Sequence, residues 1–284
     1  MKVLMVGATG EHGSLVLAAL LRQGVTVRAL VRDQHGAQRA RRHGAQEAVV
    51  GDLRDEASLR EAASGVDGVF HLGPAFAPDE AQMGVSMVRA AAHNGVGKFV
   101  FSGVIHPAIT VMSHHAVKLP VQEALYESGM EFTILQPGMF MQNLELSFGE
   151  LLPEGRITLP YAVTSKMCWV DYRDVAEVAA IAMTSDELAY GTFELCAPGR
   201  FDGVELAQLC GAVLNRHLTV EQIPRELFVR YLADGVAHET VLRMLNYYDE
   251  YGFIGGNALI LRAILKREPR SLTDYIHDYL AAHN

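Results

Sequence analysis

Residues 7–13, with the sequence GATGEHG, contain three glycines at the G-x-x-G-x-x-G spacing. They follow the apolar run Lys2–Val6 and precede the apolar segment Ser14–Gln23, whose spacing predicts a helix, which indicates a strand-to-helix turn. Glycines there permit a tight bend and a close approach of backbone N–H groups to a pyrophosphate, and the helix N-terminus attracts anions. The motif predicts a dinucleotide site, and the alternative is a tight turn that binds no ligand. The predicted contacts in this loop are Gly7, Thr9, Gly10, Glu11, His12 and Gly13.

Two side chains of this loop carry alternatives of their own. The Glu11 carboxylate lies near the expected pyrophosphate, and it should weaken phosphate binding without abolishing it unless it points outward. His12 is either a ligand contact or a solvent-facing loop residue. The loop therefore predicts a phosphate site with one opposing charge.

The choice between two nicotinamide cofactors is read at the end of the second predicted strand, about 20 residues further on. Arg32 stands directly at that strand end, and Asp33 follows it. An acidic side chain there favours NAD(H) through the ribose 2′-hydroxyl, whereas an arginine favours NADP(H) through the 2′-phosphate. Because Arg32 comes first, NADP(H) is the predicted cofactor and NAD(H) is the less favoured choice. The alternative is that both side chains are merely exposed neighbours.

Further candidate contacts follow the third and fourth predicted strands. Asp52 and Leu53 come after the third strand, where the adenine would lie, although Asp52 is equally suited to capping the next helix. Gly73 and Pro74 come after the fourth strand. Since ligands bind at the carboxyl ends of parallel strands, all four residues are predicted to contact the cofactor.

The elements that must position these residues alternate strictly between strand and helix from residue 2 to residue 135. Six short apolar runs are separated by segments with helical spacing, and the connections between them are a few residues long. This alternation predicts an α/β Rossmann fold, a doubly wound parallel sheet with helices on both faces. The pattern changes near residue 150. We therefore expect a nucleotide-binding domain at 1–150 and a smaller C-terminal α/β substrate region at 151–284, packed on the sheet edge.

Several segments together resemble the NmrA-like family of atypical short-chain dehydrogenases/reductases. The most specific segment is residues 132–143, FTILQPGMFMQN, and the resemblance extends over essentially the whole chain. The other segments that carry it are residues 6–10 (VGATG), 27–32 (VRALVR), 51–53 (GDL) and 265–271 (LKREPRS). The resemblance implies a Rossmann fold, NADP(H) preferred over NAD(H), and a C-terminal substrate lobe. Some relatives reduce quinones, dyes or plant phenolics, and others bind the nucleotide without turnover as redox-sensing regulators.

The expected catalytic pair of a short-chain dehydrogenase is incomplete. Those enzymes place a Tyr four residues before a Lys on one helix face, and the Tyr passes a proton to the carbonyl oxygen. Here Lys118 lies on a helix predicted over residues 113–128, but His114 stands four residues before it and Tyr126 does not fit the spacing. Three interpretations remain. Lys118 anchors the ribose and donates the proton alone, His114 replaces the tyrosine, or the site binds cofactor without chemistry.

Each of these two residues also has a purely structural interpretation. Lys118 would then be an ordinary exposed helix lysine. His114 and His115 would lie at a helix start or on the surface. A metal site is not predicted, because adjacent helical positions diverge and the sequence offers no third ligand.

Residues 137–140 follow the sixth predicted strand and should lie beside the nicotinamide. Pro137 and Gly138 are predicted to hold the ring's amide through backbone groups. Met139 and Phe140 offer an apolar wall for a hydrophobic acceptor, with core packing as the alternative.

Composition limits the remaining classes. The net charge of −9 over 284 residues argues against binding to nucleic acid. Three widely spaced cysteines form neither a disulfide framework nor a metal motif and are expected to be reduced thiols. No export signal and no apolar run near the roughly 20 residues of a membrane span is present, so a cytoplasmic protein is expected.

The sequence therefore supports a main hypothesis and two rivals. The main one is an NADP(H)-dependent reductase of a small apolar acceptor such as a quinone, dye or enone. The alternative is a non-catalytic NADP(H)-sensing regulator that binds a partner protein. A sugar-nucleotide epimerase or dehydratase is disfavoured because those reactions use the missing Tyr. A homodimer is also considered.

Overall fold

A computed structural model of the protein describes residues 1–148, 154–230, 238–253 and 255–283. The strands are β1 Lys2–Val6, β2 Thr26–Val31, β3 Glu47–Val50, β4 Gly68–His71, β5 Lys98–Ser102, β6 Glu131–Pro137, β7 Met139–Phe140, β8 Arg156–Leu159, β9 Met167–Val170, β10 Gly191–Leu195, β11 Arg200–Phe201 and β12 Thr219–Gln222. The helices are α1 Glu11–Arg22, α2 Gln34–Arg42, α3 Glu56–Ala63, α4 Glu80–His93, α5 Ser113–Ala116, α6 Leu119–Glu127, α7 Glu145–Phe148, α8 Tyr172–Thr184, α9 Gly203–Leu214, α10 Arg225–Arg230, α11 His238–Tyr251, α12 Leu259–Leu265 and α13 Leu272–His283. A 3₁₀ helix covers Met141–Leu144.

A seven-stranded sheet with the order β10-β6-β5-β4-β1-β2-β3 confirms the predicted fold class. The six predicted strands, β1 to β6, pair in parallel with one another. Every residue of β4, a central strand, is buried, as expected where helices cover both faces of a parallel sheet. The fold is therefore Rossmann-like.

The strand register brings the predicted contacts of the first four strands to one edge. Val6 of β1 pairs with Leu30 of β2 on one side and with His71 of β4 on the other. Val31 of β2 pairs with Val50 of β3. The segments that follow these strands, which begin at Gly7, Arg32, Gly51 and Leu72, therefore leave the sheet at the same carboxyl edge.

The chain forms two compact units, each built from separate stretches. The first comprises residues 1–108, 114–136 and 175–193, and the second comprises residues 109–113, 137–174 and 194–284. The predicted boundary near residue 150 falls among residues 149–153, outside the described part of the chain. The division into domains at 1–150 and 151–284 therefore stays a prediction.

The second unit contains two small sheets, of order β11-β9-β7 and β12-β8. In this unit, residues 267–270 are bound to the start of α8. Fully buried Asp174 accepts hydrogen bonds from the Arg267 side chain and from the backbone and side chain of Arg270. Helix α9 begins with a capping box between Asp202 and Glu205.

One predicted helix, residues 113–128, is wrong as a single element. The structure divides it into α5 and α6, and Lys118 is the residue that caps the start of α6. Pro120 lies in the first turn of α6, where its missing N–H costs nothing, whereas inside a continuous helix it would clash with the preceding turn. Lys118 and His114 therefore do not share one helix face.

Two further features concern the chain as a whole. Cys168, Cys196 and Cys210 are free and buried. Within the described ranges, no helix is long and apolar enough to cross a membrane.

Candidate functional site

The glycine turn between β1 and α1 is packed too closely for side chains at two of its three glycines. Gly7 has a φ of +86°, in the region that favours glycine. A Cβ at Gly13 would lie 1.9 Å from the carbonyl oxygen of Gly7, so the helix start packs directly on the turn. A Cβ at Gly10 would meet nothing nearer than that same oxygen at 3.5 Å. The open face of the turn is therefore at Gly10.

The N-terminus of α1 lies at this open face. Gly10 is the N-cap and supplies no side-chain hydrogen bond to the first turn. The first N–H groups of a helix and its dipole favour an anion such as a pyrophosphate. The geometry of this turn thus fits the phosphates of a dinucleotide, with Thr9 half-buried beside it.

Glu11 and His12 belong to the first turn of α1, three residues earlier than the helix start that the sequence predicts. Glu11 is exposed, and its carboxylate gains from the positive helix end that would also attract a phosphate. His12 is half-buried, and burial lowers its pKa to about 4. At neutral pH the His12 imidazole therefore adds no positive charge to the loop.

Arg32 and Asp33 have different roles at the end of β2. The Arg32 side chain is exposed and has no hydrogen-bond or ion-pair partner within the part of the chain that the structure describes. Asp33 is the N-cap of α2 and accepts a 2.7 Å hydrogen bond from the backbone of Gly36. Arg32 is therefore available to an external anion, while Asp33 is already used by its own helix.

Asp52 and Leu53 lie in the turn after β3. Exposed Asp52 accepts a 2.9 Å hydrogen bond from the Arg54 backbone, and the cap of α3 is Asp55 instead. The alternative in which Asp52 caps the helix is therefore wrong. Leu53 is half-buried and packs against the hydrophobic core.

The predicted contacts Gly73 and Pro74 begin the loop after β4. Gly73 is half-buried and Pro74 is exposed. A Cβ at Gly73 would lie 3.2 Å from Nε2 of His71 and 3.8 Å from Oε1 of Glu80. The backbone at Gly73 thus lies over two buried polar side chains.

Lys118 forms an ion pair with Glu80, the first residue of α4. The Lys118 ammonium donates to Oε1 of Glu80, and the two side chains are 10% and 4% exposed. The interpretation of Lys118 as an exposed helix lysine is therefore wrong. Burial raises the pKa of the Glu80 carboxyl against the opposing effect of the Lys118 charge. The second oxygen of Glu80 accepts a 3.2 Å hydrogen bond from the Phe76 backbone.

His114 is half-buried rather than on the surface. Its ring stacks on Phe76 with centroids 4.8 Å apart and meets His115 edge-on at 4.5 Å. Burial lowers the pKa of His114 to about 2, helped by the charges of His115 and Lys118. The His114 ring is therefore neutral at physiological pH, and its Nδ1 has no hydrogen-bond partner among the described residues.

His71 is the other imidazole of this region. It is fully buried at the end of β4, with its ring 5.9 Å from that of Phe101 and 6.2 Å from that of Phe99. Burial lowers the pKa of His71 to about 3, and the Lys118 charge acts in the same direction. Lys118 thus carries its charge among neutral imidazoles.

The predicted nicotinamide and acceptor contacts lie at the end of β6 and in the second unit. Pro137 and Gly138 are buried, and the Gly138 N–H donates to the Leu195 carbonyl at 3.0 Å. Met139 and Phe140 form β7, and both are half-buried. This backbone N–H is therefore engaged within the fold, and the two apolar side chains are partly accessible.

Gly138 also packs against two buried thiols. A Cβ at Gly138 would lie 3.1 Å from Sγ of Cys196 and 3.2 Å from Sγ of Cys168. This close packing leaves little room for any larger residue at position 138.

One surface cavity lies away from these residues. A cavity of about 590 Å³ in the second unit is lined by residues 164–166 and 249–252 with Arg200, none of them a predicted site residue. In the described ranges, no group of three or more His, Cys, Asp or Glu side chains is arranged to hold a metal ion. The sequence reasoning missed Glu80, His71 and Phe76. Glu80 reads as an ordinary acidic residue in the first turn of a helix.

The chain is similar to several known proteins. A model of the NmrA-like family matches residues 1–276. An NAD(P)H azoreductase from Xenophilus azovorans is 35% identical over 215 residues, which cover 75% of this chain and 74% of that protein.

Solved structures share the fold at lower sequence identity. An NADPH-dependent quinone oxidoreductase from Escherichia coli, crystallised with NADPH, matches with a TM-score of 0.83 at 20% identity, covering 98% of this chain and 99% of that one. Nmra, a negative transcriptional regulator, matches with a TM-score of 0.80 at 17% identity, covering 99% and 96%. Both an enzyme and a regulator are therefore built on this fold.

Proposed function

Because the chain belongs to the NmrA-like family, we propose that it is an NADP(H)-dependent reductase of a small apolar acceptor such as a quinone, a dye or an enone. The observation that carries this proposal is the exposed turn at Gly10, where α1 begins, together with Arg32, which is exposed and has no hydrogen-bond or ion-pair partner among the described residues. Both follow adjacent strands at the carboxyl edge of the sheet. The azoreductase relative, which is named for NAD(P)H and for a dye class, supports the same reaction type.

NADP(H) is proposed over NAD(H) on the basis of charge. The Arg32 guanidinium is exposed and lacks a partner in the described ranges, and a 2′-phosphate would provide one. Asp33, the side chain that would favour NAD(H), is held by the backbone of Gly36. The pyrophosphate would bind the N–H groups at the start of α1, and Asp52 with Leu53 would border the adenine.

Lys118 is the proposed proton donor and ribose anchor. When bound, the reduced nicotinamide supplies the hydride, and the chain must supply a proton to the reduced acceptor. Lys118 carries an ammonium group with 10% of its side chain exposed, whereas neutral His114 has a lowered pKa and is poorly suited to donate at neutral pH. Met139 and Phe140 are proposed to contact the apolar acceptor.

The alternative, a non-catalytic NADP(H)-sensing regulator that binds a partner protein, is favoured by one observation. His114 occupies the position of the usual Tyr and is neutral at physiological pH. A site with this composition can bind a nucleotide without an efficient proton relay. The regulator Nmra shares the fold.

A binding titration followed by a turnover panel separates the two functions. The purified protein is titrated with NADPH and NADH while cofactor fluorescence is followed, and quinones, azo dyes and enones are then added. We expect NADPH to bind more tightly than NADH and to be oxidised in step with acceptor reduction. In Lys118→Met, turnover should fall about 100-fold, because general acid catalysis typically contributes a factor of 10² to 10⁴.

Two other outcomes would change the assignment. NADPH binding without oxidation by any acceptor would contradict the reductase function and favour the non-catalytic regulator. Failure to bind either nucleotide would contradict both functions and leave the glycine turn as a structural feature.

A further inference from the structure

Glu80 occupies a position that connects two parts of the site in the first unit. One carboxylate oxygen accepts from the Lys118 ammonium, and the other accepts from the Phe76 backbone at 3.2 Å. Glu80 therefore connects the loop after β4 to Lys118, the N-cap residue of α6.

The loop after β4 needs such support because its backbone is strained. Phe76 has a φ of +66°, a conformation that costs a non-glycine residue roughly 1–3 kcal/mol and persists only when its surroundings enforce it. Its N–H is bound to Glu80, and its ring is stacked on His114. These two contacts fix the loop directly beyond Gly73.

Glu80 is also the counter-charge of the Lys118 ammonium. A buried ammonium without a counter-charge loses its proton at lower pH, while a carboxylate in contact opposes that loss. The neighbouring imidazoles cannot replace the carboxylate, since His71, His114 and His115 have pKa values lowered by burial to about 3, 2 and 4.

The remaining charged groups of the neighbouring elements lie at the surface. Asp79, next to Glu80, is paired with Arg54. Arg60 of α3 is paired with Glu56, and Glu123 of α6 is exposed. Glu80 is thus the buried acid that faces Lys118.

We infer that Glu80 is a positioning residue whose carboxylate supplies the counter-charge of Lys118 and directs its ammonium group while it holds the loop at Phe76. This inference rests on the proposed function, in which Lys118 donates the proton. Glu80 itself touches neither cofactor nor acceptor in this assignment. Its effect is exerted through Lys118 and through the loop.

The test compares Glu80→Gln, Glu80→Asp and the exposed control Glu123→Gln. Glutamine keeps an oxygen for the Phe76 N–H but removes the charge. We expect the alkaline fall of kcat in Glu80→Gln to move to lower pH by about one unit or more, because an opposite charge in contact shifts titration by 1–3 units. KM for NADPH should stay within about threefold. Glu80→Asp should restore much of the alkaline limb, and Glu123→Gln should match the wild type.

A second readout does not depend on turnover. The cofactor-free protein is treated with acetic anhydride at a series of pH values, and acetylation of Lys118 is followed by peptide mass spectrometry. The labelling midpoint should fall by about one unit or more in Glu80→Gln. This shift in a protein that reduces no acceptor would uphold the Glu80–Lys118 coupling while the reductase proposal fails. Unchanged labelling and an unchanged pH profile in an active enzyme would overturn the inference alone.

If Glu80→Gln does not fold, the double variant Glu80→Gln/Lys118→Met tests whether Glu80 is the counter-charge of Lys118. Removing both members of a buried ion pair leaves no unpaired charge, so the double variant should recover folded protein. Failure of that recovery would mean that Glu80 serves another group, which would overturn the inference.

Discussion

At Arg32, an exposed guanidinium follows a buried strand with no partner in the described part of the chain. Its neighbour Asp33, the side chain that would favour NAD(H), caps α2. The two residues differ because Asp33 can reach the N–H groups of the helix that follows. The cofactor preference therefore depends on which of the two side chains remains available.

Substitution of Arg32 tests this preference directly. Arg32→Ala should weaken NADPH binding roughly 10- to 150-fold, because hydrogen bonds to charged groups are worth about 1.5–3 kcal/mol. NADH binding should change less than about twofold. Fluorescence titrations of both cofactors measure this, with the exposed Arg22→Ala as the matched control. An equal loss for NADPH and NADH would contradict a 2′-phosphate contact.

At the scale of elements, different glycines of the turn between β1 and α1 serve packing and the proposed phosphate binding. Gly13 supports the helix against the carbonyl of Gly7, whereas Gly10 faces open space. The helix start at Glu11 rather than Ser14 follows from this turn, because Gly10 already has its carbonyl bonded to the N–H of Ser14. The pattern of apolar residues does not reveal the first polar turn.

Two alanine substitutions in this turn should have opposite consequences. Gly13→Ala should lower Tm by roughly 2–5 °C, since its Cβ would lie 1.9 Å from the Gly7 oxygen and such overpacking costs about 1–3 kcal/mol. Gly10→Ala should lower Tm by roughly 1–2 °C but weaken NADPH binding about tenfold or more, because its methyl group covers the helix N-terminus. Thermal unfolding and fluorescence titration distinguish them. Equal NADPH affinity in Gly10→Ala and wild type would argue against a phosphate at this turn.

At the scale of the whole molecule, buried imidazoles link stability to pH. Burial lowers the pKa of fully buried His71 to about 3 and of His115 to about 4, against about 6.5 in an unfolded chain. Below pH 6.5 the unfolded state therefore binds more protons than the folded state. The stabilisation is complete above that pH and is lost as the pH falls toward 4.

Urea unfolding at pH 7, 6 and 5 measures this dependence. The free energy of unfolding should fall between pH 7 and pH 5, by up to about 1.4 kcal/mol per pH unit for each buried imidazole. In His71→Phe the slope of the free energy of unfolding against pH should decrease by up to that amount. The exposed control His35→Phe should keep the wild-type slope. A slope unaffected by His71→Phe would show that His71 is not a neutral buried group in the folded protein. A homodimer, if formed, would add a dependence of the unfolding midpoint on protein concentration.

The sequence alone determined the six parallel strands and the glycine turn, and it singled out Arg32 and Lys118 as candidates, because each depends on a local pattern along the chain. Pro120 is a local sign of the break between α5 and α6. The regular apolar spacing across the break nevertheless predicted a single helix. The tertiary structure decided what lies beside Lys118. Glu80 is 38 residues earlier in the chain than Lys118, and His71 lies at the end of strand β4. No spacing rule along the sequence connects either residue to Lys118. Their charge states follow from burial, which arises when the sheet and its helices pack together.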